Sequence, residues 1–227
     1  MHSLLQTTEN TRDLGGYRTR SGKVTAPLCL LRSDIPFAPS EKDIAFLREN
    51  GITTIVDLRD ATALQRVPCG FRDIPGFTYR NFPIEEGASI PPTMEEVLPS
   101  YIAIAESRGL HDAMACIAKA PSGVLFHCTA GKDRTGILAA FILLLCDVPE
   151  ADVVEDYVLT QAYSPKRIAR LRERFPQIDP RIMDASREHI LPLLAHFLHE
   201  YQDIREALLA HGHTPETLDG IRNKLLH

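Results

Sequence analysis

The stretch Val124-Leu125-Phe126-His127-Cys128-Thr129-Ala130-Gly131-Lys132-Asp133-Arg134-Thr135-Gly136 limits the possible folds most, because it runs from a short apolar strand through a turn into the helical run Ile137–Cys146. A loop that leaves a strand and closes on a helix N-terminus gathers several backbone N–H groups, and the positive end of the helix dipole, into one small volume. That volume suits a phosphate. Five residues separate Cys128 from Arg134, enough to wrap the chain around a tetrahedral anion with the sulfur beneath it and the guanidinium at its side. Thr129, Ala130, Gly131, Lys132, Asp133 and Arg134 would form the cradle.

The residue types supply the chemistry. A cysteine at a helix N-terminus with Lys132 and Arg134 nearby is expected to be largely thiolate near neutral pH, and a thiolate can attack phosphorus. Arg134 can hold two phosphoryl oxygens at once and follow their growing charge, which a lysine's point charge does less well. Gly131 lets the backbone approach closely, and the Thr135 hydroxyl is placed to donate to the Cys128 sulfur as it leaves. His127 is expected to fix the loop from behind rather than to act as a base. A bare C-x5-R pair arises by chance in many chains, but here it comes with a preceding His, an internal Gly, an Arg-Thr-Gly exit and an apolar run on either side. An ATP-binding phosphate loop is excluded, because the upstream glycine and the hydroxyl directly after the lysine are missing.

His-Cys-Thr-Ala-Gly-Lys-Asp-Arg-Thr-Gly resembles the active-site loop of the cysteine-dependent protein tyrosine phosphatases, and most of all the bacterial and fungal group whose loop reads H-C-x-x-G-K-D-R-T-G. The similarity extends to Asn10–Tyr17, Leu31–Asp34, Asp57–Arg59 and Asp156-Tyr157. It implies action on phosphotyrosine and also on phosphoinositides, a helical lid over the loop, and a general acid inside the loop, where Asp133 matches. Asp57 is the second choice for that acid and Asp34 the third. Alternatively, Asp133 neutralises Lys132 or caps the following helix.

Composition narrows the partners. A net charge of −5 argues against nucleic acid, so any anion site must be focal. The irregularly spaced Cys29, Cys69, Cys116, Cys128 and Cys146 form neither a disulfide framework nor a C-x-x-C metal pair, and the nine histidines are scattered. No metal or other cofactor is expected. With no apolar leader behind basic residues and no run long enough to span a bilayer, the chain reads as cytoplasmic and not membrane-inserted, export without a signal peptide being left open. Oligomeric state is not legible.

Taken in order, Met1–Thr11 reads as a loosely held polar arm, Tyr17–Ala26 as a hairpin around Ser21-Gly22, and Leu28–Arg32 as a strand. Ser40, with Asp43 three residues on and Gly51 beyond the end, brackets a helix over Glu41–Glu49. Ile52–Leu58 is a buried parallel strand, with Asp57 at the carboxyl end where open sheets bind ligands. Phe77–Ile84 is a further strand, and Glu95–Glu106 and Leu110–Ala120 are helices with Gly109 between them. Helices at Pro149–Ala162, Pro165–Phe175, Ser186–Tyr201, Ile204–Leu209 and Pro215–Leu226 complete the chain. The expected fold is α/β, one phosphatase domain over 1–227 with a short, mainly parallel sheet flanked by helices. Residues 161–190 are a candidate lid, where Lys166, Arg167, Arg170, Arg172 and Arg174 form either a polyanion-admitting helix or a solvated basic face.

The expected reaction is two-step phosphoryl transfer through a cysteinyl-phosphate on phosphotyrosine. A phosphoinositide phosphatase or a broad dual-specificity phosphatase is the alternative, with Lys132 holding a second ring phosphate or simply attracting anions. A rhodanese-like sulfurtransferase is the remote one.

Overall fold

The apolar run of Val124–Phe126 and the β-branched run of Ile52–Val56 pair side by side at the centre of one five-stranded sheet in a computed structural model of the chain, which describes residues 2–226. Strands covered on both faces need no polar side, which is why neither run alternates. The strands are β1 (Arg12–Asp13), β2 (Leu30–Ser33), β3 (Ile52–Asp57), β4 (Thr78–Asn81) and β5 (Gly123–His127), in the spatial order β1-β2-β5-β3-β4. All neighbours are parallel except the short edge pair β1–β2. The register sets Ser33, His127 and Asp57 level with one another. The carboxyl ends of the three central strands therefore open at one place, and the Cys128 loop begins there.

The helices are α1 (Glu41–Glu49), α2 (Ala61–Arg66), α3 (Val97–Glu106), α4 (Arg108–Lys119), α5 (Asp133–Leu145), α6 (Glu150–Tyr163), α7 (Pro165–Arg174), α8 (Pro180–Met183), α9 (Arg187–Glu200), α10 (Ile204–Ala210) and α11 (Pro215–Leu225). Leu30, Val56, Val124 and Phe126 face the larger apolar core, shared with α3, α4, α5, α6 and α9 to α11. Leu31, Ile52, Ile55 and Leu125 face a smaller one with Leu47 of α1 and Phe71. Every residue of α5 from Arg134 to Leu145 is buried. This central position accounts for a helix that is apolar all round and fixes where its N-terminus points.

Ser40 accepts from the Asp43 amide and Asp43 from the Ser40 amide, so the capping box forms, and Gly51 takes φ +68° beyond the helix end. Several other expectations are corrected or narrowed. The N-terminal arm is pinned: the Gln6 amide donates to Asp43, the Glu9 and Asn10 amides donate to Asp34, and Leu5 is buried. The hairpin around Ser21-Gly22 does form, as the antiparallel bridge Arg18 to Val24 flanked by bonds from the Thr19 amide to Lys23 O (2.9 Å) and from the Thr25 amide to Tyr17 O (2.9 Å), too short to count as strands. The strand expected over Phe77–Ile84 is regular only through Thr78–Asn81, although the Phe82 and Ile84 amides still donate to the carbonyls of Asp57 (2.9 Å) and Leu58 (3.2 Å). Gly109 does not separate two helices, because Ser107 caps α4 and Gly109 lies in its first turn, where a β-carbon would sit 2.3 Å from the Pro83 carbonyl oxygen. Among the described residues no helix is long and apolar enough to cross a membrane.

Candidate active site

Between the end of β5 and the start of α5, four successive carbonyls are held from outside the loop. Cys128 O accepts from His127 Nδ1 (3.1 Å), and Thr129 O accepts from the Ile35 amide (3.3 Å) and Arg167 (3.2 Å). Ala130 O accepts from Asn10 Nδ2 (3.2 Å), and Gly131 O from Asn10 Nδ2 (3.2 Å) and Arg32 (2.8 Å). In a planar trans peptide the C=O and the following N–H point opposite ways. The amides of Thr129, Ala130, Gly131 and Lys132 therefore turn away from those donors, and among the described residues they meet no protein acceptor. Gly131 sits at φ +69°, and a β-carbon there would lie 2.7 Å from the backbone of Ser33 and Asp34. Only glycine fits. Cys128 is buried at the base of this nest of donors.

Arg134, in the first turn of α5, is buried; its guanidinium donates to Ile84 O (3.2 Å) and otherwise makes only long contacts, to Thr129 Oγ1 and Asp60 Oδ2 at 3.5 Å each. A five-donor fork so loosely engaged keeps capacity for an anion. The Lys132 ammonium donates to the carbonyls of Ile182 (2.7 Å) and Asp184 (3.0 Å) and lies 3.4 Å from Asp133. Asp133 also accepts from the Tyr101 hydroxyl, which pairs in turn with Tyr157 at 2.6 Å. Burial would raise the Asp133 carboxyl, but Lys132 and the Tyr101 hydroxyl outweigh it and hold the group below the ordinary carboxylate value.

A cavity of about 560 Å³ opens over Cys128, Thr129, Ala130, Lys132 and Arg134. Ile168, Leu171, Phe175, Ile178, Ile182 and Met183, from α7, α8 and their connection, line it together with Ile90, Pro91, Tyr101 and Ile104. Arg66, Arg167 and Arg174 add cations, and among the described residues Asp133 is the one carboxylate on the lining. The stretch expected to lie over the loop does border this cavity, but its basic residues divide. Arg170 pairs with Glu9 and Arg172 with Asp184, away from the lining.

The other expected residues do not converge here. Asp57 is fully buried behind the loop, where Arg59 and Tyr79 occupy both its oxygens, so it does not line the cavity. Burial alone would raise its carboxyl, yet the neighbouring His127 ring and the Arg59 guanidinium outweigh it and hold the group below the usual value. Asp34 spends its oxygens on the Asn10 amide and Arg167 and is likewise absent from the lining. Burial pushes the His127 imidazole below its ordinary value, which leaves it neutral. Its Nδ1 is set as a donor by the facing Cys128 carbonyl. The Thr135 hydroxyl is buried without a partner among the described residues, and the expected bond to the Cys128 sulfur is not made. Asp60, Arg66 and Tyr101 join the site unannounced. Only Asp60, directly after Asp57-Leu58-Arg59, had any local signal.

Asp57, Cys69 and His127 present donor atoms within 4.8 Å of one another. They do not suit a cation. The Arg59 guanidinium already fills the carboxylate, and burial pushes the Cys69 thiol up to about 12, so it stays protonated.

A model of the tyrosine phosphatase family matches residues 4–227. A tyrosine-protein phosphatase of Nostoc commune is 36% identical over 75 residues, which is 33% of this chain and 26% of that protein. The triple specificity protein phosphatase PtpB of Mycobacterium tuberculosis is 32% identical over 99 residues, 44% of this chain and 29% of that protein. The solved core catalytic domain of the PP-IP phosphatase SIW14 from S. cerevisiae aligns with a TM-score of 0.38 and 18% identity, over 68% of this chain and 94% of that one. The chain spans between 26% and 60% of the length of the curated relatives it matches. With nearly its whole length matched by the family model, the chain belongs to the tyrosine phosphatase family.

Proposed function

We propose that the chain hydrolyses phosphate monoesters, foremost phosphotyrosine in proteins, through a phosphoryl group carried on Cys128. The observation that carries this is the run of four outward carbonyls, which leaves four amides gathered over a buried thiol with Arg134 alongside. In the first step the Cys128 sulfur attacks phosphorus in line; the S–P bond forms as the ester P–O bond breaks, and Asp133 gives its proton to the leaving oxygen. In the second, water attacks phosphorus, its proton passes to Asp133, and the S–P bond breaks to release phosphate. The loop amides and Arg134 hold the equatorial oxygens throughout. Phosphate release from a phosphotyrosine peptide and from phosphoinositide vesicles, with thiosulfate as a sulfur-transfer control, tests the substrate class. Turnover of the peptide is expected; sulfur transfer with no phosphate release would refute the proposal.

Among the described residues Asp133 is the one carboxylate on the cavity lining, which favours it over Asp57 and Asp34 as the acid. Because it is held below the ordinary carboxylate value, little of it is protonated at neutral pH. Activity on esters whose leaving group needs a proton should therefore rise as pH falls below neutral. A general acid contributes roughly 10²–10⁴ in rate. Asp133→Asn should cost about that on an alkyl phosphate and far less on a nitrophenyl ester, whose leaving group departs unprotonated. Equal losses on both would remove Asp133 from the role.

A phosphoinositide reading is the second, favoured by a cavity larger than one phosphotyrosyl side chain needs and by three further arginines on its lining. PtpB, by its name, has triple specificity. Arg174→Glu should raise KM for a phosphoinositide more than for a small aryl phosphate, and the gap should close in salt as the Debye length falls from ~10 Å at 0.1 M. Arg170→Glu, at a residue already paired with Glu9, should change neither value. Equal shifts on both substrates for Arg174→Glu would count against lipid headgroups.

A further inference from the structure

Behind the phosphate loop lies a charged network that the chemistry above leaves unused. Asp156 is fully buried and accepts from Arg12 Nε (3.0 Å), from Arg32 and from the Tyr17 hydroxyl (3.1 Å). Arg12 also donates to the Asp156 carbonyl (2.6 Å), to Thr160 Oγ1 (3.2 Å) and to the Asn10 Oδ1. Arg12, Arg32 and Asn10 are themselves buried. Two guanidiniums on one carboxylate, out of water, form a costly arrangement, and a buried ion pair is a weak source of stability compared with apolar packing of the same volume. Its geometry suggests another use. A guanidinium can only donate, so the side of the Asn10 amide facing Arg12 must be the oxygen, and the NH₂ must face the other way. Facing the NH₂ are the carbonyls of Ala130 and Gly131, and Arg32, oriented by Asp156, reaches the second of them.

We infer that Asn10 and Arg32 are positioning residues of the phosphate loop. By holding the Ala130 and Gly131 carbonyls outward they keep the Gly131 and Lys132 amides directed at the anion, and the buried Arg12–Asp156 pair sets the direction in which they pull. The inference rests on the phosphatase assignment of this loop. Unheld, each carbonyl could turn inward and set a negative dipole against the phosphate. Three segments far apart in sequence, Asn10–Arg12, Arg32 and Asp156, thereby act on two peptide planes.

Asn10→Asp separates this role from a purely structural one. The substitution keeps the shape and an oxygen for Arg12, and adds charge complementary to it, so the fold should hold. It replaces the donor facing the two carbonyls with an acceptor that repels them. Affinity for tungstate, a tetrahedral oxyanion measured by calorimetry, should fall about tenfold or more, and kcat should fall further than KM rises, because oxyanion donors count most in the transition state. The thermal unfolding midpoint should stay within a few degrees of the parent's. Unchanged tungstate affinity in folded Asn10→Asp, or a loss that only tracks the folded fraction, would overturn the inference. If that variant does not fold, Asn10→Ala decides by the same two readouts, with a smaller loss of affinity expected. Tungstate binding reads the loop whether or not the parent cleaves an ester, so failure of the catalytic assignment does not obscure the result.

Discussion

Cys128→Ser should lose turnover on the order of 10³-fold or more, as removal of a nucleophile does, while still binding phosphate. The serine hydroxyl stays protonated at neutral pH and is a far weaker nucleophile than a thiolate. The binding half of the expectation comes from the scaffold. The four loop carbonyls are held by His127, Ile35, Arg167, Asn10 and Arg32, none of them through the sulfur, so the inward amides should keep their places when sulfur becomes oxygen. Calorimetric binding of phosphate or tungstate, set beside initial rates, measures both halves. Residual activity above a few per cent would rule out covalent catalysis at this residue, and loss of binding in a folded protein would mean that the sulfur itself shapes the cradle.

Arg134→Ala should lose both. Among the described residues on the cavity lining the guanidinium is the one buried cation, and its contacts with Thr129 and Asp60 are long enough to be exchanged for phosphoryl oxygens. Removing a donor that follows developing charge costs ~10²–10³ in kcat, and here ground-state binding is lost as well. The deletion also leaves Asp60 facing the site without its counter-charge, which repels an incoming dianion. Arg134→Lys restores the charge but not the planar fork, and should recover binding more than rate. Recovery of full kcat by lysine would show that charge alone suffices and that bidentate geometry contributes little.

What the sequence made legible is what local chemistry decides. The Ser40 and Asp43 capping box with Gly51 bounded α1 correctly, and the strand, loop and helix around Cys128 lie where their residue types put them. α2 was missed because Ala61–Arg66 is short and buries no residue, so no periodic face shows; its only mark is Asp60 as N-cap. The arm was misread because its anchors are not in it: Asp34 and Asp43 accept its amides from distant parts of the chain. Asn10 lies 120 residues from the carbonyl of Ala130 to which it donates. A pairing of that kind leaves no periodicity or spacing in the sequence. Asp57 stood at the right end of the right strand, but its side chain turns to Arg59 and Tyr79 behind the loop. Strand position alone does not settle which side of the loop a side chain serves.

The covalent step can be observed directly. Rapid acid quench during turnover of an aryl phosphate, followed by peptide mass spectrometry, reports which residue carries a phosphoryl group. One such group on the peptide containing Cys128 is expected, absent from Cys128→Ser and more abundant in Asp133→Asn if that variant slows the hydrolytic second step more than the first. Steady turnover with no phosphoryl group on Cys128, or with the group on another residue, would contradict the mechanism.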